Sequence, residues 1–531
     1  MRVVDGERWP GQPRRAGKAD ISPNLDVLLN QRRVLYPPRF HVPASGVSSI
    51  KARLVLVCRY FKAISARQQL IDSSSYCTNN PTMQQFHTLF LTLAVLCGLA
   101  YSAPLRTNTG SQAAVIVTDQ NTLNASAPAV TAHVSAATNS SGMLQLALVN
   151  NLGTDGVHAY VSGLDDNGEL VMLNTAGTWY YPQGSGNTPQ PLSGDVSLPL
   201  GGPNSTTTFT LPGYISSARV WFAEGELKFS VVKTDGGQGL VEPAALNLND
   251  PNANTNWGFI ELTYTKAGGL FANLSFVDFV GMALGMHLQS KGNATQEAPG
   301  VPHMGKYKIC DDLKAQAAKD GQPWDQLCVN NNSTGDLMRV LSPAGHLSSN
   351  STSFSDYWTN YTTTVAQHFA ASPLTINTQV NNSLLVNCTA STNSSSKAML
   401  TCQGDNHVYA TPTASDIFGC NTGPFAIQES DNAIHKAVVP RLCAAFNRGT
   451  FLINGGNVQP GVAPTEYYVD ADGPKNWYSA IVHRHEIDGR GYAFSYDDVA
   501  PNNGDDVAGV VADFVPDNAQ VLTVFAGGHL Q

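Results

Sequence analysis

The 531-residue chain has 13% charged residues, about half the usual quarter, and a net charge of −9. Residues 1–102 hold 13 Lys and Arg against 5 Asp and Glu, which leaves 18 against 35 in the remainder. An acidic body argues against a nucleic-acid partner and suits a neutral polymer, and 42% hydrophobic residues suffice for a large core in two or three lobes.

Residues 1–82 are Arg-rich and lack clear periodicity; they are expected to be a poorly ordered extension or the product of an upstream start codon. Met83 opens a more informative start. Leu89–Leu99 is an apolar run of signal-peptide length, too short for stable membrane insertion. Ala100-Tyr101-Ser102 puts small residues at the −3 and −1 positions, so 83–102 is expected to be a signal peptide cleaved after Ser102. The competing reading of this run is a buried helix. Residues 103–139 read as a linker and an entry strand at Val130–Ser135.

From 140 to 300 the pattern is β. Leu144–Val149 and His158–Gly163 alternate or run apolar, and Asp165-Asp166-Asn167-Gly168 reads as a hairpin turn. Further strands are expected at Glu169–Leu173, Thr178–Tyr181, Val196–Leu200, Thr206–Leu211, Ala218–Phe222 and Leu227–Val232. Short strands at this spacing indicate a sandwich or barrel. Residues 301–492 read as a mixed α/β lobe, with helices over Cys310–Gln326, Thr352–Ala371 and Ala433–Phe446 and strands between Leu374 and Cys402. Residues 493–531 return to the β layer, with strands at Gly491–Tyr496 and Ala519–Ala526.

Six cysteines follow the leader: Cys310, Cys328, Cys388, Cys402, Cys420 and Cys443. An even number in this context indicates three disulfides in an oxidising compartment. Of about 15 possible connectivities, the sequence-local set is expected: 310–328, 388–402 and 420–443. No CxxC or CxxH spacing is present, so no metal is expected. Asn-X-Ser/Thr sites are dense, as in a secreted glycoprotein, and one of them is Asn273. Asn273 is expected to be unmodified or to face outward.

The stretch Trp257–Gly285 holds two acidic residues in sequence that otherwise reads as buried strand. Glu261 and Asp278 sit in runs of strand-forming residues around the turn Lys266-Ala267-Gly268-Gly269. A carboxylate there is costly unless it is paired or lines a cleft. One solvent-facing acid and one paired acid on an ordinary hairpin is the plainer reading. The segments Phe259-Ile260-Glu261-Leu262-Thr263-Tyr264 and Asn273-Leu274-Ser275-Phe276-Val277-Asp278-Phe279-Val280-Gly281 resemble the catalytic hairpin of glycoside hydrolase family 64, the thaumatin-like β-1,3-glucanases of laminaripentaose-producing type. The resemblance covers most of 140–531. It continues through Ile309–Leu313, Pro323–Cys328, Arg339–Pro343, Gly419–Phe425, Pro440–Arg448 and Gly489–Val499, where Ser495 replaces the family's usual proline.

The resemblance implies a thaumatin-like β-barrel or sandwich with an inserted α/β lobe, together forming a wide groove for β-1,3-glucan. It implies Glu261 as general acid, Asp278 as general base, inversion at the anomeric carbon and no cofactor. A monomer is expected. The rival readings are a non-catalytic glucan-binding wall protein on the same scaffold and a structural glycoprotein. A two-residue turn centred between Ala267 and Gly268 would put Glu261 opposite Leu274, with Asp278 on the same face but about 13 Å along the strand. Inversion requires about 6.5–9.5 Å, so a longer loop, a bulge or strong coiling must close the gap.

Thr263 shares the face of Glu261 and is a candidate to bond the acid or a sugar hydroxyl. Trp324 is a candidate stacking surface, with core packing as the alternative. Arg441 and Arg448, seven apart on one helix face, either line the groove or pair with the acidic body. Asp470, Asp472, Asp497 and Asp498 lack the EF-hand pattern.

Overall fold

Alternating apolar and polar residues organise five β-sheets in the computed structural model, which describes residues 122–124, 143–379, 384–392, 398–469, 473–502 and 507–529. The 1–82 extension, the 83–102 leader, the expected Val130–Ser135 strand, Asp470 and Asp472 lie outside the described residues. The largest sheet has eight strands. Its path runs Val510–Asp513, Gly269–Leu274, Trp257–Thr265, Ile215–Glu224, Val157–Leu164, Leu170–Leu173 and Trp179–Tyr180, with Leu198–Pro199 added beside Val157–Leu164. All its pairs are antiparallel.

Strand alternation divides this sheet into two faces. Ile260, Leu262 and Tyr264, with Ala218, Val220 and Phe222, point into the main core. There they meet Leu146, Leu148, Met286, Leu288, Leu522 and Val524 of a five-stranded sheet. Trp257 and Phe259, with Tyr160 and Trp221, point the other way. They pack with Phe229 and Leu240 beside a four-stranded sheet that includes Ser230–Thr234 and Gly237–Val241. Trp221 and Phe259 are 4.9 Å apart at their ring centroids.

Between residues 301 and 492 lie the helices Gly305–Asp320, Pro343–Ser349, Thr359–Ala371, Ala414–Gly419, Ala433–Arg448 and Trp477–His485, with a five-stranded sheet spanning Leu374 to Gln459. The chain then returns. Val510–Asp513 closes one edge of the eight-stranded sheet, and Ala519–Ala526 runs parallel to Gln145–Asn150 inside the five-stranded one. The protein is therefore mainly β with a few helices. The three disulfides are those expected: Cys310–Cys328, Cys388–Cys402 and Cys420–Cys443.

Three local expectations change. Gly491–Tyr496 is not a strand; Tyr492 makes an isolated bridge to Ser275, with backbone hydrogen bonds to Leu274 and Phe276, and the pairing goes no further. The first helix begins at Gly305 and stops at Asp320, where Gly321 caps it at φ 72°, and a short 3-10 turn follows at Pro323–Leu327. The helix expected from Thr352 begins at Thr359.

Candidate active site

The hairpin turn sets the register on which the site is built. Three residues, Lys266 to Gly268, connect Thr265 to its partner Gly269. Gly269 holds φ 68°, and a Cβ there would collide with the Asp513 carbonyl of the edge strand. Glu261 therefore stands opposite Asn273, not Leu274. A one-residue shift in register exchanges faces, so Asn273 faces the same side as Glu261. Arg219 is the partner of Glu261 on the other side, and Ser162 is the partner of Arg219. Four polar side chains thus form one row across an otherwise aromatic face.

Asp278 reaches this row by leaving the strand. Pairing with Trp257–Thr265 ends at Leu274. The Phe276 amide donates to the Tyr492 carbonyl (2.7 Å), and the Tyr478 hydroxyl donates to the Phe276 carbonyl (2.5 Å). The Ser342 amide donates to the Asp278 carbonyl at 2.8 Å. Phe279–Val280 then pairs with Leu337–Leu341 in a different sheet. A straight strand would carry Asp278 away from Glu261; the bend places it within electrostatic reach of both Glu261 and Arg219.

Arg219 is the centre of charge. Its Nη1 donates to Glu242 Oε2 at 2.5 Å, and its Nη2 and Nε donate to Glu261 Oε1 at 3.3 and 3.4 Å. Its guanidinium lies over the Phe259 ring, 4.7 Å from the centroid. Glu242 is buried and accepts from the Ser162 hydroxyl (3.3 Å), which itself accepts from the Trp221 indole (3.0 Å). Asn273 Nδ2 donates to Glu261 Oε2 at 3.4 Å. The Glu261 side chain remains 37% exposed.

One guanidinium thus serves three carboxyls. Burial pushes the Asp278 carboxyl up; Arg219 opposes that and the Glu261 charge adds to it. Burial also pushes Glu242 up against the pull of Arg219. Arg219 is held protonated: burial works against its charge, and Glu242, Glu261 and Asp278 outweigh it.

A cavity of about 490 Å³ opens on Asp278 and Arg219. Trp221, Trp257, Phe259 and Phe279 give it an aromatic wall, and Ser348 and Ser349 border it from the Pro343–Ser349 helix. Apolar walls with a few convergent polar groups suit a sugar, whose ring has apolar faces and a hydroxyl rim.

The other candidates fall as follows. Thr263 is half-buried and shares the face of Glu261, opposite Phe271. Trp324 is a correction: it has no exposed surface, packs 4.6 Å from Phe354, and donates its indole N–H to Asp320 at 3.0 Å. No ring face is left for a sugar. Arg441 bonds to the Ala437 carbonyl and Gln379 Oε1, at 3.0 and 2.9 Å, away from the cavity lining. Arg448 is a correction as a sugar ligand: it is buried and pairs with Asp497 at 3.0 Å. Asp497 also meets His483 at 2.9 Å, and His483 meets Glu486 at 2.8 Å, which closes a structural ion network.

Arg219, Glu242 and Asn273 escaped sequence reading. The one available signal was Arg219 itself, a cation between Ala218 and Val220 in an apolar strand, which demands a partner. Its two partners lie 23 and 42 residues away, beyond any local pattern.

The family model for glycoside hydrolase family 64, described as beta-1,3-glucanase, matches residues 142–523. A glucan endo-1,3-beta-glucosidase of Cellulosimicrobium cellulans is 26% identical over 366 residues, covering 67% of this chain and 61% of that protein. One from Arthrobacter sp. (strain YCWD3) gives the same figures, so the chain spans 61% of the length of these curated relatives. Among solved structures, a laminaripentaose-producing beta-1,3-glucanase in complex with laminaritetraose superposes with TM-score 0.62 at 23% identity, covering 72% of this chain and 98% of that one. A beta-1,3-glucanase domain from Clostridium beijerinckii superposes with TM-score 0.54 at 19% identity, covering 73% and 98%. At these identities the superpositions establish a shared fold.

Proposed function

The chain belongs to glycoside hydrolase family 64, and on that premise we propose that it is an endo-acting β-1,3-glucanase that hydrolyses its substrate with inversion. The observation that carries this reading is the convergence of Glu261 and Asp278 on one arginine beside an aromatic cavity. The names of the two relatives and the laminaritetraose bound to the structural neighbour support β-1,3-glucan as substrate.

Glu261 is the general acid and Asp278 the general base. Glu261 gives its proton to the glycosidic oxygen as the C–O bond breaks. Asp278 takes a proton from the water that attacks the anomeric carbon from the opposite face. One C–O bond breaks, one forms, and exchange with solvent restores both acids. Burial and the Glu261 charge push the Asp278 carboxyl up, and Arg219 is the group that opposes them and favours the carboxylate a base needs. When Glu261 becomes anionic, Arg219 and Asn273 already donate toward it. Thr263 is positioned to meet a sugar hydroxyl beside Glu261.

The proposal extends to a thaumatin-like two-lobe groove and to a monomeric secreted glycoprotein acting on cell-wall glucan. Three disulfides and the dense Asn-X-Ser/Thr sites support an extracellular setting.

The test is sugar release from insoluble β-1,3-glucan by the full chain beside Glu261→Gln and Asp278→Asn. Oligosaccharides of inverted anomeric configuration, reduced about 10²–10⁴-fold in each variant, support the assignments. Glucan binding without release by the parent protein overturns the enzyme reading.

A further inference from the structure

We propose that the protein binds one zinc ion between His407, Asp431 and His435. The site lies in the lobe that contributes neither catalytic carboxylate. Each of the three residues offers a ligand atom, and these atoms all lie within 4.8 Å of one another. His407 Nε2 is 2.6 Å from Asp431 Oδ1, and His435 Nε2 is 3.6 Å from Asp431 Oδ2. The two imidazoles lie side by side, with ring centroids 4.2 Å apart and an interplanar angle of 33°. Two imidazole nitrogens and one carboxylate oxygen form a donor set that zinc accepts at about 2.0–2.2 Å, with water completing the tetrahedron.

The groups behind the ligands make the case stronger than the cluster alone. His435 Nδ1 faces Asp405 Oδ1 at 3.1 Å and the Tyr409 hydroxyl at 2.9 Å. That hydroxyl donates its own proton to Asp405 Oδ2 at 2.5 Å, so its oxygen is left to accept. Both groups facing Nδ1 are therefore acceptors, and Nδ1 carries the ring proton. In neutral imidazole the lone pair then sits on Nε2, pointing to where Asp431 Oδ2 and the Ala426 carbonyl, 3.2 Å away, also point their lone pairs. The Gln428 amide donates to Asp431 Oδ2 at 2.7 Å, so His407 Nε2, Asp431 Oδ1 and His435 Nε2 are the atoms left to hold an ion. A carboxylate that fixes a histidine tautomer from behind is the usual support of a zinc ligand.

Access and purpose also fit. The Asp431, His435 and Asp405 side chains are buried, whereas that of His407 is 41% exposed, so an ion and its water can enter from that side. Asp405 and His407 come from the turn between the strands Ala398–Cys402 and Val408–Ala410, while Asp431 and His435 flank the start of the Ala433–Arg448 helix. The ion would clamp a hairpin to the helix that carries Cys443 and Arg448. The sequence hides the site because its ligands are 24 and 4 residues apart on two separate elements.

The test is isothermal titration of the chelator-stripped full chain with zinc chloride, read alongside thermal melting. The expected result is binding of one zinc per chain and a melting temperature raised by several degrees. His407→Ala, at the half-exposed edge of the cluster, should weaken binding at least tenfold and abolish the thermal shift. Asp405→Asn, which keeps all three ligands, should weaken it about 10–100-fold. No zinc uptake by the parent chain, as expected if the site holds only an imidazolium, overturns the proposal. Uptake undiminished in His407→Ala overturns it as well, by placing the ion elsewhere. These readouts do not depend on glucanase activity.

Discussion

Glu261 and Arg219 face each other across adjacent antiparallel strands, with Nη2 3.3 Å from Oε1. The same guanidinium holds the buried Glu242 at 2.5 Å. The carboxyl proposed as general acid is thus tied to the protein interior through one side chain, so the stability of the layer and the charge of the site are set together. A buried carboxylate that loses its cation costs more than a surface pair would.

Arg219→Met is therefore expected to destabilise the protein by about 3–5 kcal/mol, measured by urea denaturation. Arg219 also opposes the upward push on Asp278. Its removal raises that carboxyl further, so the acidic limb of the rate profile, where the base must ionise, moves to higher pH. Arg219→Lys keeps the charge but not the fork and should show a smaller movement with lower kcat. An unchanged acidic limb in both variants would separate Arg219 from the chemistry.

Asn273 sits in an Asn-X-Ser motif yet is buried, with its amide 3.4 Å from Glu261. A glycan on that nitrogen has no room and would obstruct the acid. Peptide mass spectrometry of the protein expressed in a glycosylating host should find Asn273 unmodified. Asn273→Ala should lower kcat/KM about tenfold, the equivalent of one hydrogen bond to a charged group, while leaving the melting temperature nearly unchanged.

His483 lies buried between Glu486 and Asp497, which outweigh the burial penalty and lift its pKa from 6.5 to about 10. A raised cation pKa contributes stability that is complete below about 6.5 and is lost as pH rises through about 10. His483→Gln should destabilise by about 3–5 kcal/mol near neutrality. The gap in melting temperature between parent and variant should narrow steadily from pH 7 to pH 10. A gap independent of pH would show that His483 is not charged in the fold.

Trp324 fills the core with Phe354, Tyr357 and Phe418 around it. Trp324→Ala should cost about 3–5 kcal/mol of stability. Its KM for glucan, measured well below the lowered melting temperature, should match the parent. A selective rise in KM would return the residue to the substrate groove.

Much of the fold was legible in the sequence for local reasons. Period-two alternation marks Ile260, Leu262 and Tyr264 as one face of a strand, and the structure buries all three. The strand Ala519–Ala526 was placed to the residue. The three disulfides join the nearest cysteines in order. Less visible was the Trp477–His485 helix, nine residues with aromatic and β-branched positions that carry little helical signal of their own. Gly491–Tyr496 failed the other way: its aromatic residues read as a strand, but they are held by tertiary contacts, among them the Ser275 bridge.

By itself the sequence determined which residues are apolar on which side of each strand, which cysteines are near enough to join, and which two carboxyls match a known hairpin. These are properties of neighbours along the chain. Only the tertiary structure decided what surrounds the carboxyls. The three-residue turn put Asn273 rather than Leu274 across from Glu261. The pairing of Trp257–Thr265 with Ile215–Glu224 brought in Arg219, and the bend after Leu274 turned Asp278 back toward it. Trp324 and Arg448 went to the interior for the same reason. Strand register and burial depend on contacts between residues far apart in sequence, and no local pattern encodes them.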